Sequence, residues 1–141
     1  MVLTLELASK IITATLERRI ELGFKPLCVA VLDPGGHLVA LQREDGTSML
    51  RPQIAMAKAG GALALGTSSR KIAEMASERP TFIASLGPIS PHGVVPAPGG
   101  VLVVDASGQL IGAVGVTGDT SDNDEACALA GVAAAGLSVL D

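Results

Sequence analysis

The chain contains a few ionisable side chains in apolar or glycine-rich surroundings, where they could bind a ligand or transfer protons. Lys58 is the only charge in the run IAMAKAGGALAL. It could extend to water, or it could point into a cleft and pair with a carboxylate of the protein or of a ligand. Asp124 and Glu125 follow the turn GVTGDTS. A carboxylate there could act as a general base or anchor a polar ligand, or it could only complement the dipole of a helix that begins at this point.

Three further features could contribute to the same cleft. His92, in the loop SPHGVVPAPGG, could ligate a metal or move protons near neutral pH, or do neither. Arg43 could reach the pocket or remain solvated at a strand end, and the glycines after Pro98 suit close approach of a ligand or of a neighbouring backbone. The candidate catalytic residues are Glu125, Lys58 and His92, and the candidate ligand contacts are Arg43, Pro98, Gly99, Gly100 and Asp124.

The acidic turn and the absence of known motifs restrict the possible ligands. A glycine-rich turn at a helix start normally binds anions, but here Asp122, Asp124 and Glu125 already supply negative charge. A neutral or cationic ligand, or another part of the protein, is therefore favoured. The segment DTSDNDE lacks the central glycine and the distant glutamate of a calcium loop. The sequence contains no zinc motif, P-loop, dinucleotide fingerprint or nucleophile elbow. We therefore predict no metal site and no required cofactor.

Composition indicates one domain, residues 1–141, and excludes several classes of partner. The net charge is −4 and only 1% of residues are aromatic, so we expect no nucleic acid, which needs basic and stacking side chains. No apolar run approaches the roughly 20 residues of a membrane span, and the first residues do not resemble a signal peptide. We expect a cytoplasmic protein with two free cysteines. A mean hydropathy of +0.50 favours a homo-oligomer that hides apolar surface between copies.

Hydrophobic spacing and turn residues predict the elements that must position these side chains. Two hairpins with helices before and after them imply one antiparallel sheet with helices packed on it, an α+β fold. The two hairpin sequences, CVAVLDPGGHLVA and VLVVDASGQLIGA, resemble each other, which either an internal duplication or a shared turn type would explain. The predicted elements are a helix between Thr4 and Gly23, a hairpin turning at 33–36, helices at about 51–65 and after Ser68 or Ser69, a short helix in RPTFIASLG, a loop at 87–100, a hairpin turning at 105–108, and a helix at about 122–137. The apolar stripe of the first helix consists of Leu5, Ala8, Ile12, Leu16 and Ile20.

Four segments, in order, resemble the GlcG/HbpS family: VAVLDPGGHLVAL, AMAKAGGALAL, VPAPGGVLVV and IGAVGVTGDTSDNDEACALAG. The resemblance implies a single antiparallel sheet flanked by helices, similar to profilin in layout, and assembly into dimers or higher oligomers. It also implies that some relatives bind haem, that one is fused to a corrinoid adenosyltransferase, and that others belong to catabolic operons. The matching positions are Asp33, Lys58, Pro98, Gly99, Gly100, Gly115, Gly118, Asp124 and Glu125.

Haem is a possible ligand, with few residues to hold its iron. Tyrosine is absent, so the axial candidates are His37, His92, four methionines and two cysteines. Three hypotheses follow. The chain binds a tetrapyrrole or a small organic catabolite in a catabolic pathway, or it is a cofactor-free isomerase, hydratase or hydrolase that uses acid–base chemistry on an oxygenated catabolite, or it is an accessory subunit of another enzyme.

Overall fold

The computed structural model describes residues 1–140, which form five strands, five α-helices and a short 3-10 helix. The predicted elements are all present, in the predicted order. Their bounds are α1 Leu5–Leu22, β1 Cys28–Leu32, β2 Leu38–Arg43, α2 Arg51–Leu65, α3 Ser69–Glu78, α4 Pro80–Leu86, the 3-10 helix Gly87–Ile89, β3 Gly100–Val104, β4 Leu110–Thr117, α5 Ser121–Ala134 and β5 Ser138–Val139.

The strands form one antiparallel sheet in the order β2-β1-β4-β3-β5. Helices α1 and α5 pack together on one face, and α2 covers β1, β3 and β4 on the other. This confirms the predicted α+β class with a single sheet between helices. β1 and β3 are buried along their whole length, since both of their faces are covered. The central strands therefore carry the residues that the helices on the two sides can reach.

Local signals explain where most helices begin and end. The Thr4 hydroxyl accepts the Leu7 N–H to cap α1, and Gly23 ends that helix in the left-handed conformation. The Ser68 hydroxyl accepts the Lys71 N–H at the start of α3. Thr120 caps α5 by accepting the N–H of Asn123. The acids of the α5 first turn are consequently free for other contacts.

Two details differ from the sequence predictions. Helix α5 ends at Ala134 instead of near residue 137, because the chain turns there and residues 138–139 pair with β3 as the short strand β5. On α1, Leu5 and Ile20 fit the predicted apolar stripe but are 62% and 61% exposed, whereas Ile11 and Ile12 are completely buried. Within residues 1–140, no helix has both the length and the apolar character needed to cross a bilayer.

Candidate functional site

Lys58 and Asp124 form an ion pair inside the protein. The Lys58 ammonium donates to Asp124 Oδ2 at 3.1 Å and to the carbonyl of Val116 at 2.9 Å. The second carboxylate oxygen, Oδ1, accepts the backbone N–H of Asp119 at 2.9 Å. Lys58 is 2% exposed and Asp124 is 1% exposed. Lys58 therefore does not extend to water; the structure shows that it pairs with a carboxylate of the protein.

The buried position affects both members of the pair. Burial lowers the pKa of Lys58 and is only partly opposed by the attraction of Asp124. Burial also raises the pKa of Asp124, against the attraction of Lys58. The positive charge of a nearby arginine, Arg51, adds to the lowering of the Lys58 pKa and opposes the rise of the Asp124 pKa. Each partner therefore depends on the other to remain ionised, and the loss of either would leave an uncompensated interior charge.

Small residues on the sheet allow α2 to come close enough for this pairing. At Gly99, with φ of +129°, a Cβ would lie 2.5 Å from the Val116 carbonyl oxygen and 2.8 Å from Lys58 Nζ. A Cβ at Gly100 would overlap the Lys58 carbonyl, and one at Gly115 would overlap the Ala55 carbonyl. The close approach at Gly99 and Gly100 is therefore made by the protein's own backbone. Pro98 is half-buried just before it.

Glu125 forms an ion pair with a residue that the sequence analysis did not identify. Arg70, from the first turn of α3, donates through Nε to both carboxylate oxygens of Glu125 at 3.0 Å and through Nη2 to Asp122 at 2.5 Å. Arg70 and Glu125 border a cavity of about 230 Å³ that is also lined by Lys71, Glu74 and apolar side chains. Glu125 thus faces α3 and not Lys58. Arg70 follows a serine cap in the sequence, which indicated a helix start but no partner.

His92 lies on the other side of α2, away from the acidic turn. Its Nε2 is 2.6 Å from the carbonyl oxygen of Gly36 in the first hairpin turn. A carbonyl only accepts, so Nε2 carries the proton, and Nδ1 holds the lone pair when the ring is neutral. The His92 side chain packs over Gly60, where a Cβ would come within 2.8 Å of the His92 Cβ and 3.0 Å of the ring carbon Cδ2. A cavity of about 170 Å³ lies here between the hairpin turn, His92 and Leu63.

A third cavity, of about 250 Å³, lies beside the start of α2. Arg51 and Lys25 border it, and the sequence analysis proposed neither. Arg43 lies next to this cavity, since its guanidinium donates to the carbonyl of Thr47, a lining residue, at 3.2 Å. Arg51 was not identified because its place before Pro52 indicated only the first turn of a helix. In the part of the chain that is described, no three His, Cys, Asp or Glu side chains gather into a metal-binding group.

The predicted site residues therefore separate into several places. Lys58 and Asp124 meet in the interior, Gly99 and Gly100 pack around them, and Glu125 lies near Arg70. His92 and Arg43 lie at two other cavities. The sequence could not show this separation. Lys58 and Gly60 lie only two residues apart on α2, yet Lys58 contacts Asp124 and Gly60 contacts His92 about half a helical turn away.

Comparisons with known proteins agree with this fold. Residues 3–133 match the family model described as haem degrading protein HbpS-like. The chain is 38% identical over 119 residues to protein GlcG of Escherichia coli strain K12, which covers 83% of this chain and 82% of GlcG.

Solved structures give the same picture. The crystal structure of HbpS has a TM-score of 0.80 and 31% identity, covering 94% of this chain and 89% of that one. A crystal structure of a PduOC complex with haem has a TM-score of 0.86 over the whole of both chains. Its identity of 22% shows similarity of fold alone.

Proposed function

This chain belongs to the HbpS-like family, and we propose that it is a small-molecule-binding protein with haem or another tetrapyrrole as the first candidate ligand. Family membership and the 31% identity to HbpS support a binding role. We further propose that it acts in the cytoplasm as part of a catabolic pathway. Two free cysteines that are both completely buried suit a reducing compartment.

The observation that carries the haem proposal is the orientation of His92. Histidines that ligate metals usually donate their other ring N–H to a carbonyl or carboxylate, which fixes the tautomer and the ring. The hydrogen bond from His92 Nε2 to Gly36 is such a contact, and it leaves Nδ1 as the nitrogen that could hold the iron. Both cysteines are in the core and cannot reach a ligand. When bound, haem would supply an iron centre for redox chemistry or for ligand sensing.

We propose that a second copy of the chain completes the site, because the cavity beside His92 is small. The space beside His92 is about 170 Å³, below the roughly 300–1,000 Å³ of typical ligand pockets. One chain could therefore cover only part of a tetrapyrrole. Ile89, three residues before His92, is 78% exposed and is available for contacts between copies beside this site. We therefore propose a homo-oligomer.

The two other hypotheses have less support from the geometry. Acid–base catalysis by Lys58 requires the ammonium to meet a substrate, yet it is 2% exposed and already paired with Asp124. Glu125 is engaged by Arg70. Among residues 1–140, no contact specifically favours an accessory subunit. Binding without turnover is the function that these contacts support best.

A visible absorbance titration with haemin tests the proposal. The chain has no Trp and no Tyr, so a bound chromophore dominates the spectrum. We expect a saturable Soret shift in the wild type that is lost in His92→Ala. His37→Ala is the matched control, because His37 is the other histidine and its side chain is 81% exposed. Absence of a saturable shift in the wild type rejects haem, and an unchanged shift in His92→Ala rejects this histidine as the ligand.

A further inference from the structure

We propose that the cavity beside the start of α2 is a binding site for a small organic carboxylate, held mainly by Arg51 and Lys25. Its lining consists of Lys25, Pro26, Gly46, Thr47, Ser48, Arg51 and Gly118. Two of these side chains are cationic and none is acidic. At about 250 Å³ the space suits a molecule of a few heavy atoms. This site is separate from His92, so it does not depend on the haem proposal.

Arg51 is the principal reason for expecting an anion. Its side chain is half-buried, and Nη1 donates to the hydroxyl of Thr117 at 2.8 Å. Among the ion pairs that residues 1–140 form, none involves Arg51. A guanidinium has five N–H donors in a fixed fork that matches a carboxylate. A partly buried cation without a carboxylate partner is costly unless a ligand or solvent neutralises it.

The charges behind Arg51 reinforce this requirement. Lys58 lies deeper in the protein, and the positive charge of Arg51 influences both Lys58 and Asp124. Together, Arg51, Lys58 and Asp124 carry two positive charges and one negative charge, so positive charge is in excess behind the cavity. An anion bound in the cavity would balance the excess and would reduce the repulsion between Arg51 and Lys58.

Lys25 adds a second cation at the outer edge of the cavity. Asp119 lies close to it, and its Oδ2 accepts the backbone N–H of Lys25 at 2.7 Å. That carboxylate accepts three hydrogen bonds in all, since its Oδ1 also accepts from Thr120 N and Asn123 Nδ2, and its charge attracts the Lys25 ammonium. The Lys25 ammonium itself forms no ion pair within the described residues. It can therefore bind the second oxygen or a second carboxylate of the ligand.

Two hydroxyl groups support the cationic side chains, one behind Arg51 and one in the cavity lining. Thr117 is 1% exposed and does not line the cavity, so its hydroxyl, which accepts from Arg51, orients the guanidinium and does not contact the ligand. The exposed Ser48 lines the cavity and can donate its hydroxyl hydrogen to a bound anion. The combination of a cationic fork and a hydroxyl donor indicates a carboxylate more than a neutral molecule.

Isothermal titration and thermal shift measurements with malonate, acetate and inorganic phosphate at constant ionic strength test the site. We expect saturable binding of malonate to the wild type. Because a lost charge-assisted hydrogen bond weakens binding by about tenfold or more, Arg51→Gln should raise the malonate Kd at least that much. Lys25→Gln should raise it by several-fold. Lys71→Gln is the matched control for net charge, since Lys71 is an exposed lysine outside this cavity and should leave the Kd unchanged.

Each other outcome contradicts the proposal. Lack of saturable malonate or acetate binding to the wild type overturns it, and so does an unchanged Kd in both cavity variants. Binding of phosphate alone shows an inorganic oxyanion site and rejects the organic carboxylate. Lys25→Gln keeps the test valid if Arg51→Gln fails to fold, because Lys25 is exposed. Haemin binding is measured on the same samples, so failure at this site is distinguishable from failure at His92.

Discussion

Lys58 of α2 and Asp124 of α5 lie 66 positions apart in the chain and meet in an ion pair of 3.1 Å that is closed off from water. The two helices approach from opposite faces of the sheet, and the pair joins them beside the end of β4. Asp124 also accepts from Asp119, so the turn into α5 is attached to the same group. The pair thus connects three layers of the fold at one point.

The first prediction concerns removal of one partner. We expect Lys58→Met to destabilise the protein by about 3–5 kcal/mol, because Asp124 would remain as an unpaired buried charge. Lys58→Met combined with Asp124→Leu should recover most of that loss, since neither charge is then left alone. Urea unfolding followed by far-UV circular dichroism measures the double variant and both single variants, Lys58→Met and Asp124→Leu. If the double variant is as unstable as the two single losses combined, the pair has no mutual dependence.

The second prediction concerns the close approach of α2 to the sheet. A methyl group at Gly115 would overlap the Ala55 carbonyl, so Gly115→Ala should force α2 away and cost about 2 kcal/mol or more. Gly87→Ala is the matched control, because a Cβ at Gly87 meets nothing within 4 Å. Thermal unfolding compares the two variants. Equal melting temperatures would contradict the argument from backbone contact.

The third prediction distinguishes a structural role of Glu125 from a catalytic one. Arg70 is 44% exposed and Glu125 is 16% exposed, so solvent screens their attraction. We expect Glu125→Gln to reduce stability by less than about 1 kcal/mol and to leave ligand binding at His92 unchanged. The haemin titration and urea unfolding provide both values. Loss of haemin binding in this variant would show that Glu125 contributes to the ligand site.

The fourth prediction concerns acid stability. Hydrogen bonds from the Ser107 hydroxyl and from backbone N–H groups, with the N-terminal ammonium nearby, lower the pKa of Asp105 from 3.8 to about 2. A carboxylate with a lowered folded-state pKa contributes stability that is present above its unfolded value and lost as pH falls through the folded one. The contribution should therefore disappear between pH 3.8 and about 2. Asp105→Asn should flatten the plot of unfolding free energy against pH in this window, as measured by urea unfolding at a series of pH values. An unchanged slope would contradict this role of Asp105.

Most of the fold could be predicted from the sequence because its signals are local. Thr4, Ser68 and Gly23 act within one helical turn of where they lie, and the apolar runs on either side of each hairpin turn identify β1 to β4. The predicted end of α5 was wrong because residues 138–139 pair with β3, which is distant in the chain. The exposure of Leu5 and Ile20 was not predicted for a similar reason. A helical period does not show which part of an apolar stripe contacts the core.

By itself, the sequence determined the element order, the α+β class, the family resemblance and the importance of Lys58 as an isolated charge. Only the tertiary structure decided which carboxylate meets Lys58, and that Glu125 faces Arg70 instead. It also brought Arg51 and Lys25 to one cavity and His92 to another. The physical reason is that capping, turns and periodicity operate over a few residues. Charge pairing between helices instead depends on how glycines such as Gly100 and Gly115 let whole elements approach.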